Sequence, residues 1–194
     1  MILPIVAYGD PVLKKVAEDI EDDYPKLDEL IENMFETMYN ANGVGLAAPQ
    51  IGKSIRLFVV DASPFAEDED LPDEERKQLE SFKKVFINPI ILEEEGKPWN
   101  FQEGCLSIPG IHEDVSRKPE ITIEYYDENW ELLEETYSGV IARVIQHEYD
   151  HIEGILFTDY VNPLKKRVLK KKLSNISKGA VNVDYRMKFP ALKR

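Results

Sequence analysis

Cysteine, histidine and tryptophan are scarce in this chain, whose 194 residues include one cysteine, three histidines and two tryptophans. The single cysteine, Cys105, excludes an intramolecular disulfide, so it is either a small buried hydrophobic residue or a thiol with a chemical role. No run of about 18 apolar residues exists for a membrane-spanning helix, and the N-terminus lacks the basic and apolar regions of a secretion signal. We therefore expect a protein of the reducing cytoplasm, without a membrane partner.

Basic residues are outnumbered and unevenly placed. The chain has 24 Lys and Arg against 37 Asp and Glu, a net charge of −13, but residues 165–194 hold 11 basic residues against one acidic residue. We expect a single catalytic domain over 1–164 and a basic C-terminal helix and tail over 165–194. A positive segment on an acidic body suits a phosphate-rich partner. The alternatives are contact between the tail and the acidic body, or a tail that only aids solubility.

An acidic stretch interrupts the apolar pattern at about 62–84. Seven of the nine residues in Glu67–Glu75 are acidic. This composition predicts a surface insertion, mobile at Glu67–Pro72, followed by a short helix over Asp73–Lys83. We favour a solvated loop over a metal-buffering role, because exposed acidic clusters are common without a ligand.

The segment Gln146–Gly154 carries the clearest chemical pattern. His147, Glu148 and His151 have the spacing H-E-x-x-H, and on a helix the two histidines lie one turn apart on the same face. Both imidazoles can then bind one cation, while Glu148 stands beside it to move protons. Two histidines at this spacing are otherwise solvated or helix-capping residues. The apolar helical pattern around them indicates a buried helix, which favours the metal site.

Two other segments have unusual composition. Glu103–Gly110 places Cys105 among glycine, proline and a carboxylate, which indicates a backbone shaped around a site. Gly43–Gly52 lacks the lysine of a phosphate loop and the third glycine of a dinucleotide fingerprint. A backbone that approaches a peptide at Gly45 is the better interpretation. Two imidazoles and a thiolate suit Zn, Fe, Co or Ni, and three protein ligands are typical of a catalytic site.

The remaining pattern predicts an α+β fold with small antiparallel or mixed sheets packed around a central metal-binding H-E-x-x-H helix, with a further helix at the C-terminus. Apolar spacing and β-branched residues define the expected elements. The helices are Leu27–Asn40 and Ser138–Asp150, and the strands are Ile55–Val60, Val85–Leu92, Glu120–Tyr126 and Trp130–Tyr137.

Together with the opening Ile2–Val16, the three segments resemble the peptide deformylase family, which removes the N-formyl group from nascent chains, and the resemblance extends to about Leu164. It implies one divalent metal, ferrous iron by preference, which nickel, cobalt or zinc can replace. The implied ligands are Cys105, His147 and His151, with Glu148 as the general acid and base. Gln50 and the backbone N–H of Leu106 would stabilise the oxyanion.

The resemblance also implies a pocket for the methionine side chain, lined by Val44, Phe101, Val140, Arg143, Val144 and His147. Gly45 and Gly104 would leave room for the substrate. Glu103 and Arg117 would pair behind the site and hold the cysteine loop and Gln50. His112 departs from the family pattern, because many members carry arginine there, and we expect it at the entrance to the site.

The implied substrates are N-formyl-methionyl nascent peptides in the bacterial cytoplasm. The basic segment 165–194 would bind the ribosome, and we expect no DNA partner. Two alternatives stay open: a zinc endoprotease, and a noncatalytic module that binds formyl peptides or metal. The cysteine ligand argues against the protease, and Glu148 together with Gln50 argues against the noncatalytic module.

Overall fold

Four α-helices and nine strands form the regular structure of residues 1–192, which the computed structural model describes. The helices are α1 Leu27–Asn40, α2 Asp73–Glu80, α3 Gly139–Ile152 and α4 Pro163–Ser177. The strands are β1 Ile5–Val6, β2 Gly45–Ala47, β3 Leu57–Asp61, β4 Lys83–Glu95, β5 Trp99–Cys105, β6 Ile108–Arg117, β7 Glu120–Tyr126, β8 Leu132–Ser138 and β9 Met187–Lys188. The predicted α+β class, with small antiparallel sheets, is confirmed.

The largest sheet has five antiparallel strands in the order β2-β3-β4-β7-β8. Side chains alternate along β7, so that Ile121, Ile123 and Tyr125 are buried while their neighbours are more exposed. The long strand β4 shifts register twice against β7, between Ile87 and Ile90 and again after Ile91. Such bulges bend a strand. Here β4 pairs with β3 over its first residues, Lys83–Ile87, and with β7 from Ile87 to Glu95.

Two smaller sheets complete the fold. Strands β5 and β6 form an antiparallel hairpin in which Cys105 pairs with Ile108, so the turn consists of Leu106 and Ser107. Strands β1 and β9 form a two-stranded parallel sheet that joins the two ends of the chain. The hairpin is the element that carries the cysteine, and sequence patterns did not predict it as strands.

Helix α3 follows directly from β8 and packs against β2 and β3. Its apolar residues Ile141, Ala142 and Ile145 enter the same core cluster as the buried side chains of β7. Because both faces of α3 are covered, most of its polar side chains are buried as well. The helix therefore carries its histidines into the interior of the protein.

Helix α4 is amphipathic and lies on the hairpin. Asn162 caps it by accepting a hydrogen bond from the N–H of Lys165 at 2.9 Å, and proline occupies its first turn. Leu169, Leu173 and Ile176 are buried in one cluster with residues of β6. The segment after Leu164 is thus packed on the rest of the chain. Among residues 1–192, no helix combines the length and apolar character needed to span a membrane.

The acidic insertion contains two short helices and makes apolar contacts with the core. A short 3-10 helix covers Ser63–Glu67, and α2 ends at Glu80 instead of the predicted Lys83. The helix stops early because Phe82 is buried and Lys83 already pairs with Asp61 in the large sheet. Leu71, inside the stretch expected to be mobile, packs against the core. The insertion is therefore anchored at several apolar points.

Candidate metal centre

Helix α3 and the β5–β6 hairpin bring three donor side chains together. His147 and His151 lie one turn apart on α3, with ring centroids 5.1 Å apart, and Cys105 ends β5. The Cys105 Sγ lies 3.3 Å from the His151 Nε2, and the donor atoms of all three residues lie within 4.8 Å of one another. One cation could contact all three residues. Sequence spacing predicted the two histidines, and the family resemblance implied Cys105.

Glu103 orients the first histidine. Its Oε1 lies 2.9 Å from the His147 Nδ1, so that the Nε2 of this ring is left for a ligand. Arg117 binds Glu103 through two nitrogens at 2.8 and 3.0 Å, and Arg143 adds a third contact at 3.0 Å. Burial alone would raise the pKa of Glu103, but the hydrogen bonds from His147 and Arg117 outweigh it and hold that pKa well below the usual value. Glu103 is therefore a charged acceptor at neutral pH.

The paired charges continue behind the helix. The Arg117 Nη1 donates to the Asp150 Oδ2 at 2.8 Å, and the Tyr160 hydroxyl donates to the same oxygen at 2.8 Å. Arg117 also stacks over the Tyr160 ring at 4.8 Å. The expected pair of Glu103 and Arg117 is present, and it holds His147 in addition to the hairpin.

Glu148 and His151, two further functional candidates on α3, are buried, and each has a polar atom without a hydrogen bond among residues 1–192. Within residues 1–192, neither the Glu148 Oε2 nor the His151 Nδ1 has a hydrogen-bond partner. Burial raises the pKa of Glu148 to about 7. Burial, and then the charge of His147, lower the pKa of His151 well below its usual value, so its ring is neutral and able to bind a metal. Buried polar atoms left unpaired are costly, which indicates a ligand beside them.

Gln50 is held in a defined orientation at the edge of this cluster. Its Oε1 accepts a hydrogen bond from the N–H of Ala47 at 2.9 Å, which turns the amide nitrogen toward the site. That nitrogen lies 3.3 Å from the Ser107 Oγ and 3.4 Å from the Cys105 Sγ. The side chain is buried, and its amide N–H groups face the donor cluster.

A cavity of about 490 Å³ opens onto these groups. Two glycines shape it through close approach. A Cβ on Gly45 would lie 2.5 Å from the Glu148 Oε1, and one on Gly104 would lie 2.7 Å from the His112 ring. The absent side chain of Gly45 thus makes room for Glu148, whereas the sequence suggested room for the substrate.

Most of the predicted pocket residues line this cavity. They are Val44, Gly45, Gln50, Phe101, Glu103, Gly104, Cys105, Leu106, Arg143, Val144, His147 and Glu148, with His112 at the rim. Val140 is not among the described residues that line it, because it packs with Ile141 and Ala142 in the core. The guanidinium of Arg143 donates to the Trp99 and Val115 carbonyl oxygens at 2.7 and 2.8 Å, in addition to its contact with Glu103.

Sequence patterns missed two contributions to the cavity wall. Phe65, from the acidic insertion, contacts Phe101 edge-to-face with centroids 6.4 Å apart. The segment Asn182–Tyr185, from beyond α4, closes another side. Each comes from a charged stretch far along the chain from the three motifs. The only available signal was the pair of aromatic residues in each stretch, Phe65 and Phe82 in 62–84 and Tyr185 and Phe189 in 165–194.

Comparison with known proteins agrees with this geometry. The family model described as polypeptide deformylase matches residues 2–167. The chain belongs to the polypeptide deformylase family. Membership makes it an enzyme of the peptide deformylase class. Because the match covers most of the chain, it includes all three motifs.

Relatives and solved structures of this family align over almost the whole chain. The peptide deformylase of Christiangramia forsetii is 66% identical over 194 residues, covering 100% of this chain and 99% of the relative. That of Flavobacterium johnsoniae is 61% identical with the same coverage. The crystal structure of a peptide deformylase from Legionella pneumophila aligns with a TM-score of 0.78 and 37% identity over 93% of this chain and 98% of that chain. The structure from Thermus thermophilus aligns with a TM-score of 0.78 and 40% identity over 92% and 99%.

Proposed function

We propose that this protein removes the formyl group from the N-terminal formyl-methionine of nascent polypeptides and releases formate. The observation that carries this proposal is the convergence of Cys105, His147 and His151 beside Glu148, whose free carboxylate oxygen is buried at the cavity. Family membership supports the same reaction. Because nascent polypeptides are the substrate, we place the enzyme in the bacterial cytoplasm, where they are made.

The donor set fits a divalent cation held on α3. A thiolate and two imidazoles suit iron, zinc, cobalt or nickel, and such a cation would polarise the formyl carbonyl and acidify a water molecule. Glu103 keeps the His147 Nδ1 occupied, so that only the opposite ring nitrogen can bind. With three protein ligands, a bound cation would keep a further position for water or substrate, as in catalytic sites.

The side chains of the site divide the remaining chemistry. Glu148 accepts a proton from the attacking water and passes it to the departing amine as formate leaves. The Gln50 amide and the Leu106 N–H donate to the oxyanion that forms on the formyl group. The apolar surface of Val44, Phe101 and Val144 suits the unbranched side chain of methionine.

Formate release tests this proposal against the endoprotease alternative. We expect the metal-replete protein to release formate from formyl-Met-Ala-Ser. We expect it to leave the internal peptide bonds of a second peptide of the same length uncut. Cleavage of the internal peptide bond without formate release would contradict deformylation. Tight binding of formyl-Met-Ala-Ser without turnover would instead favour the noncatalytic module.

We propose ferrous iron as the physiological metal, following the resemblance and the thiolate ligand. A ferrous centre next to Cys105 should lose activity in air or peroxide, and nickel should protect it because nickel(II) resists the same oxidation. The measurement is the half-life of formate release for iron-loaded and nickel-loaded protein under air. Equal half-lives would contradict oxidation of the metal as the cause.

We further propose that the basic surface of α4 contacts the ribosome. Arg167 and Lys171 lie one turn apart and are exposed, and the apolar Leu164 and Val168 on the same side are 72% and 69% exposed. Such a surface suits rRNA phosphates beside an apolar protein patch. The alternatives, a solubilising tail or self-association with the acidic body, remain outcomes of the test.

Charge reversal tests this contact better than truncation, because residues beyond α4 line the cavity. We expect Arg167→Glu/Lys171→Glu to lower cosedimentation with ribosomes at low salt, and wild-type binding to fall steeply as salt rises. Lys53→Glu, an exposed change outside α4, is the control. Equal cosedimentation of both variants would contradict the assignment to α4.

A further inference from the structure

The turn that follows Cys105 is anchored through both of its carbonyl groups. The hydroxyl of Tyr185 donates to the carbonyl oxygen of Leu106 at 2.7 Å. The backbone N–H of Tyr8 donates to the carbonyl oxygen of Ser107 at 2.9 Å. Two consecutive peptide units are therefore fixed from outside the hairpin. They adjoin the peptide unit that carries the Leu106 N–H.

Both anchors come from the small sheet that joins the chain ends. In this sheet Ile5 pairs with Met187, and the N–H of Ala7 donates to the carbonyl oxygen of Lys188 at 2.9 Å. Tyr8 follows β1 by two residues, and Tyr185 precedes β9 by two residues. The parallel pairing thus presents both donors to the same turn. Neither donor belongs to the three sequence motifs.

The turn between β5 and β6 is closely packed on several sides, so a shift of the turn would move the groups of the site that it carries. Cys105 pairs with Ile108 across the turn, which closes the hairpin directly behind the sulfur. The Leu106 side chain lies against Gly43, where a Cβ would come within 2.7 Å of the Leu106 Cδ1. Tyr185 is half-buried and packs in the same cluster as Leu106. A rotation of the Leu106 peptide would move the amide on one side and the thiolate on the other.

We propose that Tyr185 is a positioning residue for deformylation, because its hydrogen bond to the Leu106 carbonyl fixes the turn that carries the Leu106 N–H and Cys105. This inference rests on the proposed function, in which that N–H stabilises the oxyanion. It also assigns a role in the reaction to the segment after α4, for which the sequence suggested a binding partner, contact with the acidic body or solubility. Removing the hydroxyl should weaken transition-state stabilisation and leave substrate binding intact, since the ring still fills the cavity wall.

Tyr185→Phe is the direct test, with Tyr125→Phe as the matched control. The Tyr125 hydroxyl also donates one hydrogen bond, to the Glu135 Oε2 at 3.0 Å, but it lies in the large sheet away from the cavity. We expect Tyr185→Phe to lower kcat about fivefold with KM within about twofold, the size of one neutral hydrogen bond expressed in the transition state. Tyr125→Phe should keep the wild-type kcat. Bound metal and melting temperature are measured for both variants.

Each outcome decides the question. A fivefold lower kcat in Tyr185→Phe, with full metal occupancy and a melting temperature no lower than that of Tyr125→Phe, supports positioning. An unchanged kcat overturns it, as does a rise in KM alone, which would make Tyr185 a substrate contact. A loss of activity that only follows the folded fraction also overturns it. Wild-type protein that releases no formate would overturn the proposed function itself, and the role of Tyr185 with it.

Discussion

The two sides of helix α3 differ in how their charges are satisfied. Behind the helix, Arg117 is paired with both Glu103 and Asp150. Toward the cavity, Glu148 has a buried oxygen without a partner among residues 1–192. Buried charges that are fully paired fix geometry, while an unpaired buried group is retained where chemistry needs it. One helix therefore joins a rigid support to a reactive face.

The largest effect is expected from removing the carboxylate of Glu148, the reactive group on the cavity side of α3. Glu148→Ala should retain metal but lower kcat by about 10²- to 10⁴-fold, because the alanine side chain cannot transfer a proton. Formate release and metal content of the same sample provide the measurement. A metal-loaded variant with near-normal turnover would rule out Glu148 as the acid and base.

A smaller loss is expected from the oxyanion side. Gln50→Ala removes a donor whose orientation is set by the N–H of Ala47, and kcat should fall by about 10²- to 10³-fold with little change in KM. Steady-state kinetics with formyl-Met-Ala-Ser separate the two constants. If KM rises while kcat stays constant, Gln50 binds the ground state rather than the oxyanion.

Removing the charge of Glu103, behind the helix, should lower both metal affinity and stability. Glu103→Gln leaves Arg143 without its carboxylate partner and Arg117 with Asp150 alone, and it should weaken metal affinity about 10- to 100-fold. It should also lower the free energy of unfolding by about 3 kcal/mol. Chelator competition and urea unfolding measure the two effects.

Glu113→Gln is the control for that variant. Glu113 lies on the same hairpin and pairs with the exposed Lys165 at 2.6 Å. Its loss should change the free energy of unfolding by less than about 1 kcal/mol. Equal effects of the two substitutions would show that the Glu103 network is no more important than a surface ion pair.

The smallest effect is expected at the cavity wall. Phe65→Ala removes the edge-to-face contact with Phe101 and should lower kcat/KM for formyl-methionine peptides about two- to tenfold. Asp70→Ala, an exposed acidic change in the same insertion, should leave kcat/KM unaltered. If Asp70→Ala has the larger effect, the insertion acts through its charge.

Sequence patterns were sufficient where function depends on neighbours in the chain. Helical spacing determines that His147 and His151 share a face, and the limits of α1 match the predicted Leu27–Asn40. The β5–β6 hairpin was missed because Gly104 and Pro109 are typical of a loop. In the structure the paired strands nevertheless continue to Cys105 and Ile108, which directly flank the turn. Local composition does not report pairing with a partner strand.

Long-range contacts account for the other differences. Val140 was assigned to the pocket from the family resemblance, but it lies near the start of α3, where the helix enters the core. Phe65 and Tyr185 were missed because nothing in an acidic or basic stretch indicates which cavity its aromatic side chain reaches. The wall of the cavity thus depends on tertiary packing, while the placement of the two histidines on one helix face depends on spacing.

The parallel pairing of β1 with β9 also sets an order of events during synthesis. The partner strand of β1 lies beyond all three motifs in the chain, so it is made after them. A growing chain has both histidines, the cysteine and the acid well before it can anchor the turn between β5 and β6. A copy that ends before Tyr185 would carry all three motifs and still lack the hydrogen bond from this residue to the turn, so the motifs alone do not build the anchored turn.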